Sequence, residues 1–214
     1  MTDVFARMGK SKKRVVAVTE RMPEGKLLKP EAFEGHPDPH VWFDVELWAG
    51  CIDVVESKLG DAAPEQKALF AANAAKVRAE MAALHAWAKA KAAELPEAKR
   101  VLVTSHDAYN YFGRAYGFQV VGLQGISTVS EAALADMAKL TDFIKERGLK
   151  AVFVESSVSH ATIERIAKDS GVTVGGELFS DAMGAPGQME GGYDLGTYEG
   201  MIKHNLNTIV EALK

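Results

Sequence analysis

Three short polar segments, far apart in the sequence, hold the residues that could do chemistry in this chain. Their central residues are His40, His106 and Asp181, each placed where an apolar stretch meets a loop. Neutral imidazole binds Zn²⁺ and other transition metals, whereas carboxylate also suits harder ions such as Mn²⁺. Side chains from three distant points of a chain can converge on one ion. The three segments together therefore predict a site for a divalent metal cation.

Each of these residues has a plainer interpretation when it is taken alone. His40 could cap a helix, and aspartates such as Asp181 often cap turns. His106 stands between Ser105 and Asp107, which suggests a catalytic cluster. However, the side chains of adjacent residues diverge, and the sequence has no Gly-x-Ser-x-Gly motif of a nucleophile elbow. A Ser-His-Asp hydrolase is therefore disfavoured, and a metal site accounts for all three segments.

The composition is that of an ordinary globular protein and excludes few functions. The 214 residues include 47% hydrophobic and 25% charged residues, and the net charge is −4. This balance gives no argument for nucleic acid or an anionic membrane as a partner. No run of 18 apolar residues occurs, and the N-terminus lacks the apolar region of a signal peptide. The single cysteine, Cys51, cannot form an intrachain disulfide, and we expect it to be buried on a helix.

Strands and helices alternate regularly after Pro96. The hydrophobic pattern predicts strands at residues 100–104, 118–123, 150–155 and 172–178, and helices at residues 107–116, 130–147, 160–170 and 197–213. Continuous apolar strands separated by helices are typical of a parallel sheet covered on both faces. Ligands bind beyond the carboxyl ends of such strands, and His106 and Asp181 both follow strands. The fold class is therefore predicted to be α/β with a Rossmann-like parallel sheet.

The residues before Pro96 predict a different arrangement. Their pattern indicates a short helix at residues 2–9, a strand at 14–19, a proline-rich loop at 20–39 and a helix at 41–59 ended by Gly60. A run without glycine or proline follows between the prolines at 64 and 96. It predicts one helix of 32 residues at positions 64–95, roughly 48 Å long at ~1.5 Å per residue. Such a helix would connect two parts of the molecule rigidly.

In combination, the three polar segments resemble the motifs of the TroA-like metal receptors of bacterial ABC importers. The motifs are Asp-Pro-His-Val-Trp, Thr-Ser-His-Asp and Phe-Ser-Asp-Ala-Met-Gly. The resemblance implies that His40, His106 and Asp181 bind metal and that Glu155 lies beside the ligands. A further histidine, N-terminal to these, completes the site in that family. Only 39 residues precede His40, and none matches that histidine motif. We therefore expect a chain that lacks its signal peptide and the first half of its N-terminal lobe.

The resemblance also implies an organisation and a function. Residues 1–61 would be the remnant of an N-terminal lobe, residues 62–96 a long linking helix, and residues 97–214 a C-terminal α/β lobe. The protein would be a receptor, periplasmic or lipid-anchored at the outer face of the membrane, without enzymatic activity. It would bind Zn²⁺ or Mn²⁺ and deliver the ion to an ABC permease in the inner membrane. Because half a lobe would leave apolar surface uncovered, we expect a non-native dimer through residues 1–60.

Two other functions remain open. An α/β metallohydrolase could place His40, His106 and Asp181 around a catalytic Zn²⁺, but the sequence has no His-Glu-x-x-His or His-x-His motif to support one. An adhesin or interaction protein could be built around the long helix. The metal is open as well. Zinc-specific members of the family that the chain resembles often carry a long loop rich in His, Asp and Glu. Residues 20–39 contain one spare histidine, His36, and the absence of such a loop favours manganese or mixed specificity. The three nitrogen ligands of a complete site favour zinc.

Overall fold

The computed structural model describes residues 15–33, 35–126 and 134–214. The helix predicted at residues 2–9 lies outside these ranges, as do residues 130–133. Four strands form the C-terminal part: β1 (Val101–His106), β2 (Gln119–Gln124), β3 (Ala151–Glu155) and β4 (Thr173–Leu178). Parallel ladders join β1 to β2 and β3 to β4, and β1 lies alongside β3. The predicted α/β fold class is confirmed.

Helices connect and cover these strands. They are α1 (Val45–Ala49), α2 (Cys51–Ala62), α3 (Lys67–Ala92), α4 (Asn110–Tyr116), α5 (Leu134–Arg147), α6 (Ala161–Ser170) and α7 (Tyr198–Leu213). Gly117 and Gly171 end α4 and α6 in the left-handed conformation, with φ of +76° and +75°, which glycine adopts without steric cost. The chain can therefore turn at once towards the next strand. None of the helices in the described ranges is long and apolar enough to cross a membrane.

The long helix forms without a break. It contains 26 residues, from Lys67 to Ala92, and is therefore about 39 Å long at ~1.5 Å per residue. A separate 3₁₀ turn at Pro64–Gln66 precedes it, which is one reason why it is shorter than predicted. Helix α3 contacts α1, α2, α4 and α7. It therefore connects the N-terminal residues with the C-terminal strands and helices.

The strand predicted at residues 14–19 is wrong over its described part. Residues 15–17 have no regular structure, and residues 18–21 form turns. Valine-rich segments favour extended backbone, but a strand also needs a neighbour for its N–H and C=O groups. No strand pairs with this segment within the described ranges.

The single helix predicted at residues 41–59 is also wrong. A 3₁₀ turn at Val41–Phe43 precedes α1, and Gly50 separates α1 from α2. The cause is Asp44, whose Oδ1 accepts a backbone N–H three residues further on at 3.0 Å and so begins a new helix. Gly60 lies inside α2 and does not end it.

Two predicted loops contain short local elements. The proline-rich loop includes 3₁₀ turns at Glu24–Lys26 and Glu31–Phe33. The glycine-rich loop before α7 contains a small antiparallel hairpin of β5 (Met189–Glu190) and β6 (Tyr193–Asp194). Both segments connect larger elements, as their composition indicates.

Two hydrophobic clusters form the core, one on each face of the central strands. Alternate residues of a strand point to opposite faces, so Leu102 of β1 joins one cluster and Val103 joins the other. The first cluster includes Phe43 from the N-terminal part, Leu84 of α3 and Leu206 of α7. The second cluster lies under α5 and α6. The first cluster thus packs residues from both ends of the chain together.

Replacing Leu206 with alanine tests the packing of α7. Leu206 is fully buried, so Leu206→Ala should lower the free energy of unfolding by about 2–5 kcal/mol. Leu69→Ala is the matched control, because Leu69 is 56% exposed and its loss should cost less than about 0.5 kcal/mol. Urea unfolding followed by circular dichroism measures both. Equal losses in the two variants would contradict the burial of this face of α7.

Candidate metal centre

The structure brings His40, His106 and Asp181 to one point. His106 ends β1, Asp181 lies shortly beyond β4, and His40 precedes the 3₁₀ turn at Val41–Phe43. One ring nitrogen of each histidine and one carboxylate oxygen all lie within 4.8 Å of one another. Nε2 of His40 is 3.5 Å from Oδ1 of Asp181, and Nε2 of His106 is 3.6 Å from Oδ2. The three residues singled out in the sequence are thus neighbours, and their role as metal ligands stays a prediction.

The spacing of these donor atoms suits a transition-metal ion. Zn–N bonds of ~2.0–2.1 Å in tetrahedral geometry separate neighbouring donors by about 3.3 Å. The nitrogen–oxygen separations of 3.5 and 3.6 Å are close to that value. Within residues 15–33, 35–126 and 134–214, no other group of three His, Cys, Asp or Glu side chains comes as close together. Small side-chain movements would allow one ion to contact all three.

The three residues differ in exposure. His106 is fully buried, His40 is 3% exposed, and the side chain of Asp181 is 40% exposed. Nε2 of His106 has no hydrogen-bond partner among the described residues. A buried polar atom without a partner costs about 1–3 kcal/mol. A bound metal ion would supply the partner that this nitrogen lacks.

The carboxylate of Glu155 holds His106 from behind. Its Oε1 accepts the backbone N–H of His106 at 2.8 Å, and its Oε2 lies 2.6 Å from Nδ1 of the same residue, although not aligned as a regular hydrogen bond. Both residues are fully buried. A carboxylate beside Nδ1 keeps the proton on that nitrogen and directs Nε2 towards the cleft, as is common behind histidine ligands of metals. The resemblance predicts Glu155 beside the ligands, and its role in metal binding stays a prediction.

Asp38, the first residue of the Asp-Pro-His-Val-Trp motif, holds His40 in a similar way, although no role was predicted for it. Its Oδ1 accepts the backbone N–H of His40 at 2.9 Å and lies 2.7 Å from Nδ1 of the ring. Its Oδ2 accepts a hydrogen bond from Nδ2 of Asn110 at 3.3 Å. The signal in the sequence is the two-residue spacing, because aspartate side chains often bond the backbone two residues further on.

The charges of the site are coupled through His40. Burial disfavours its charged form, but Asp181 and Asp38 outweigh burial and raise the pKa of His40 to about 9. The hydrogen bond with His40 in turn lowers the pKa of the Asp181 carboxyl. Metals bind the neutral form of imidazole. A cation that binds Nε2 of His40 must therefore displace the proton between Nε2 and Asp181, while the proton on Nδ1 stays beside Asp38.

The remaining histidines lie outside this cluster. His36 is exposed, His85 packs against an aromatic ring of α4, His160 faces a backbone carbonyl of β3, and His204 joins α7 to the β5–β6 hairpin. Cys51 is buried, as expected, and burial raises the pKa of its thiol to about 11. A thiol in that state is a poor metal ligand, because metals bind the thiolate.

The sequence matches a protein family over residues 1–212. That family is described as ZnuA, the periplasmic component A of a zinc-uptake complex. The chain belongs to this family. The resemblance to metal receptors of ABC importers, inferred from the three polar segments, is thereby confirmed.

Two named bacterial proteins are similar to this chain over its full length. The manganese-binding lipoprotein MntA of Bacillus subtilis (strain 168) is 46% identical over 220 residues, which cover 100% of this chain and 69% of MntA. The zinc-binding protein TroA of Treponema pallidum (strain Nichols) is 44% identical over 218 residues, covering 100% and 68%. The solved structure of periplasmic TroA superposes with a TM-score of 0.91, over 100% of this chain and 76% of that one. The fold is therefore that of TroA.

Metal binding by this ZnuA-family chain should strengthen as the pH rises from about 6 to about 8. With a pKa of about 9, His40 carries a proton throughout this interval when no metal is bound. Displacing one proton makes the apparent affinity rise about tenfold per pH unit. Calorimetric titration with Zn²⁺ in buffers of different ionisation enthalpy counts the protons released. An affinity independent of pH would contradict the charged state of His40.

Proposed function

We propose that this protein is the substrate-binding component of an ABC importer, which binds Zn²⁺ or Mn²⁺ and delivers it to a permease in the inner membrane. The observation that carries the proposal is the convergence of His40, His106 and Asp181 on one point, with a buried, unpartnered nitrogen on His106 among the described residues. Membership of a family described as a periplasmic zinc-uptake component supports the same role. The ion is the cargo of the protein.

The proposed function assigns a role to three parts of the chain. Residues 1–61 supply His40, residues 97–214 supply the other two ligands, and residues 62–96 contain α3 between them. An ion bound to all three side chains would link both ends of the chain. Because α3 has no internal break, it limits how far those ends can separate. Small movements of the ligand loops would then suffice to bind and release the ion.

Binding is favoured over hydrolysis by the state of the nearby carboxylates. A catalytic zinc site needs a general base beside an open coordination position. Asp38 and Glu155 are buried beside the histidines, and each already accepts a backbone N–H and contacts an imidazole. Neither is free to take a proton from a water molecule. The metallohydrolase and adhesin alternatives gain no support from the relatives, which are named as metal-binding proteins.

The donor set suits both zinc and manganese. Two imidazole nitrogens favour zinc, and the carboxylate of Asp181 is acceptable to either ion. The relatives point the same way, because MntA is named for manganese and TroA for zinc. We therefore propose Zn²⁺ or Mn²⁺ as the cargo.

We also place the protein in the periplasm or anchored by lipid at the outer face of the membrane. The family description is periplasmic, and the MntA relative is named a lipoprotein. Binding an ion outside the inner membrane is what an importer requires of its receptor. The permease of the same importer would be the protein partner.

Removing one proposed ligand should abolish tight binding. His106→Ala should weaken Zn²⁺ binding by at least about 100-fold, because losing even a residue that orients a ligand typically costs ~10–100-fold. His36→Ala is the matched control, since His36 is an exposed histidine outside the cluster. Competition with a fluorescent chelator measures both affinities, for Zn²⁺ and for Mn²⁺. A wild-type protein that binds neither ion, or two variants of equal affinity, would contradict the proposed function.

A further part of the proposal is the dimer through residues 1–60. An apolar groove of about 540 Å³ lies between α2 and α3, and Trp48, Ile52 and Phe70 are among its lining residues. Val55 and Leu59 of α2 also line it and are 42% and 44% exposed. Trp48 itself is half-buried. A second copy that presents the same face would cover this surface, as in self-complementary two-fold interfaces.

Sedimentation of matched charge variants tests this dimer. Leu59→Glu places a charge at the groove and should weaken self-association by tenfold or more, because burying an unpaired charge is unfavourable. A tenfold change corresponds to ~1.4 kcal/mol of binding free energy. Leu134→Glu makes the same change on α5, where Leu134 is 79% exposed, and should leave association unchanged. A wild-type chain that stays monomeric at every concentration would contradict the dimer.

A further inference from the structure

Trp42 connects two of the loops that carry proposed metal ligands. It stands two residues after His40, and its ring meets that imidazole edge-on, with ring centres 5.3 Å apart at 74°. Its indole Nε1–H donates a hydrogen bond to the backbone oxygen of Ser180 at 3.2 Å. Ser180 immediately precedes Asp181. One side chain thus touches one ligand and holds the residue beside another.

Other hydrogen bonds hold both residues of this connection, Trp42 and Ser180. The hydroxyl of Tyr198, at the start of α7, donates to the backbone oxygen of Trp42 at 2.6 Å. On the other side, the hydroxyl of Ser180 lies 2.7 Å from that of Ser157, which follows β3. Ser180 is 1% exposed, so its carbonyl has little access to water. The indole is therefore a hydrogen-bond partner that water cannot easily replace.

The other hydrogen bonds of the His40 segment lead elsewhere. Asn110 and Tyr111 of α4 donate to Asp38, and Arg114 donates to the backbone of the proline-rich loop. These bonds attach the segment to the side of the cleft that carries His106. Within the described part of the chain, the hydrogen bond that attaches it to the Asp181 loop comes from Trp42. Tyr109 and Asn205 hold the same loop at Phe179, so the indole supplies the direct link between the His40 segment and the residue next to Asp181.

Asp181 is also the proposed ligand with room to move. Its side chain is 40% exposed, whereas both imidazoles are buried. Asp181 itself lines a pocket of about 280 Å³, and Trp42, Trp48 and Met183 are among the other lining residues. An Asp181 loop released from Trp42 could swing into this space. The ion would then keep two imidazole ligands only.

From these contacts we infer that Trp42 is a positioning residue that slows the release of the bound ion, by holding the Asp181 loop against the two histidines. The inference rests on the proposed function. It concerns the dissociation of the metal and leaves its entry unaffected, because the indole bonds the backbone of Ser180 and occupies none of the three proposed ligand atoms. The indole N–H is the acting group, and the aromatic ring alone is insufficient.

The test compares two tryptophans, Trp42 beside the proposed ligands and Trp87 on α3. Trp42→Phe keeps a flat aromatic ring and removes the N–H, so the dissociation rate of Zn²⁺, measured by stopped-flow with excess chelator, should rise about tenfold. The association rate should stay within about twofold of the wild type. Trp87→Phe makes the same substitution in a half-buried tryptophan that does not line this pocket, and it should leave both rates unchanged. A Trp42→Phe protein that releases metal no faster than Trp87→Phe overturns the inference.

Two further measurements separate positioning from folding. Tyr198→Phe frees the backbone of Trp42 without altering the indole, and it should raise the dissociation rate by a smaller factor. This variant decides the matter if Trp42→Phe does not fold. If Trp42 were only structural, Trp42→Phe would lower the melting temperature without changing the ratio of the Zn²⁺ dissociation rate to the association rate. That result also overturns the inference.

A metal-free readout keeps the inference distinct from the proposed function. In the wild-type protein, the indole N–H of Trp42 should exchange with solvent at least about tenfold more slowly than that of Trp48, as seen by nuclear magnetic resonance. If the wild type binds no metal, the proposed function fails, while slow exchange would still support the link to Ser180. Fast exchange of the Trp42 N–H overturns the inference whether or not metal binds.

Discussion

Each histidine of the cleft has a carboxylate behind it, and the rest of the site depends on this pairing. An imidazole can offer a metal only one nitrogen, and which one it offers depends on where its proton is held. Glu155 and Asp38 each accept the backbone N–H of their histidine and lie close to its Nδ1. Both Nε2 atoms are thereby left to face Asp181. Two anchoring carboxylates thus prepare the two imidazoles before any ion arrives.

The arrangement of the strands produces one of these histidine–carboxylate pairs directly. Strand β1 ends in His106 and β3 ends in Glu155, so placing the two strands side by side brings the imidazole to its carboxylate. All residues of both strands are buried, which excludes water from that contact. Helices α3 and α7 close one face of these strands and hold the N-terminal segment with His40 against them. Packing that looks remote from the cleft therefore fixes its geometry.

Sequence patterns were informative where chemistry and local structure coincide. The apolar stretches of β1 and β3 end sharply at His106 and Glu155, and so both the strands and their polar ends could be predicted. Asp38 and Trp42 belong to the Asp-Pro-His-Val-Trp motif, but their contacts with Asn110 and Ser180 were not predicted, because these partners lie 72 and 138 residues away in the chain. Such contacts leave no local pattern. The wrong strand at residues 14–19 has the same origin, since pairing depends on a neighbour that propensity does not reveal.

Two buried imidazoles and one partly exposed carboxylate give the cleft a closed back and an accessible front. An acceptor that takes an ion from this cleft would approach it past Asp181, which is the exposed one of the three proposed ligands. Its first donor atom would replace the carboxylate while both imidazoles still hold the ion, and the imidazoles would leave afterwards. Transfer would then be a stepwise ligand substitution in which the ion is never free in solution. Its rate would depend on how an acceptor meets the front of the cleft, and not on the equilibrium affinity alone.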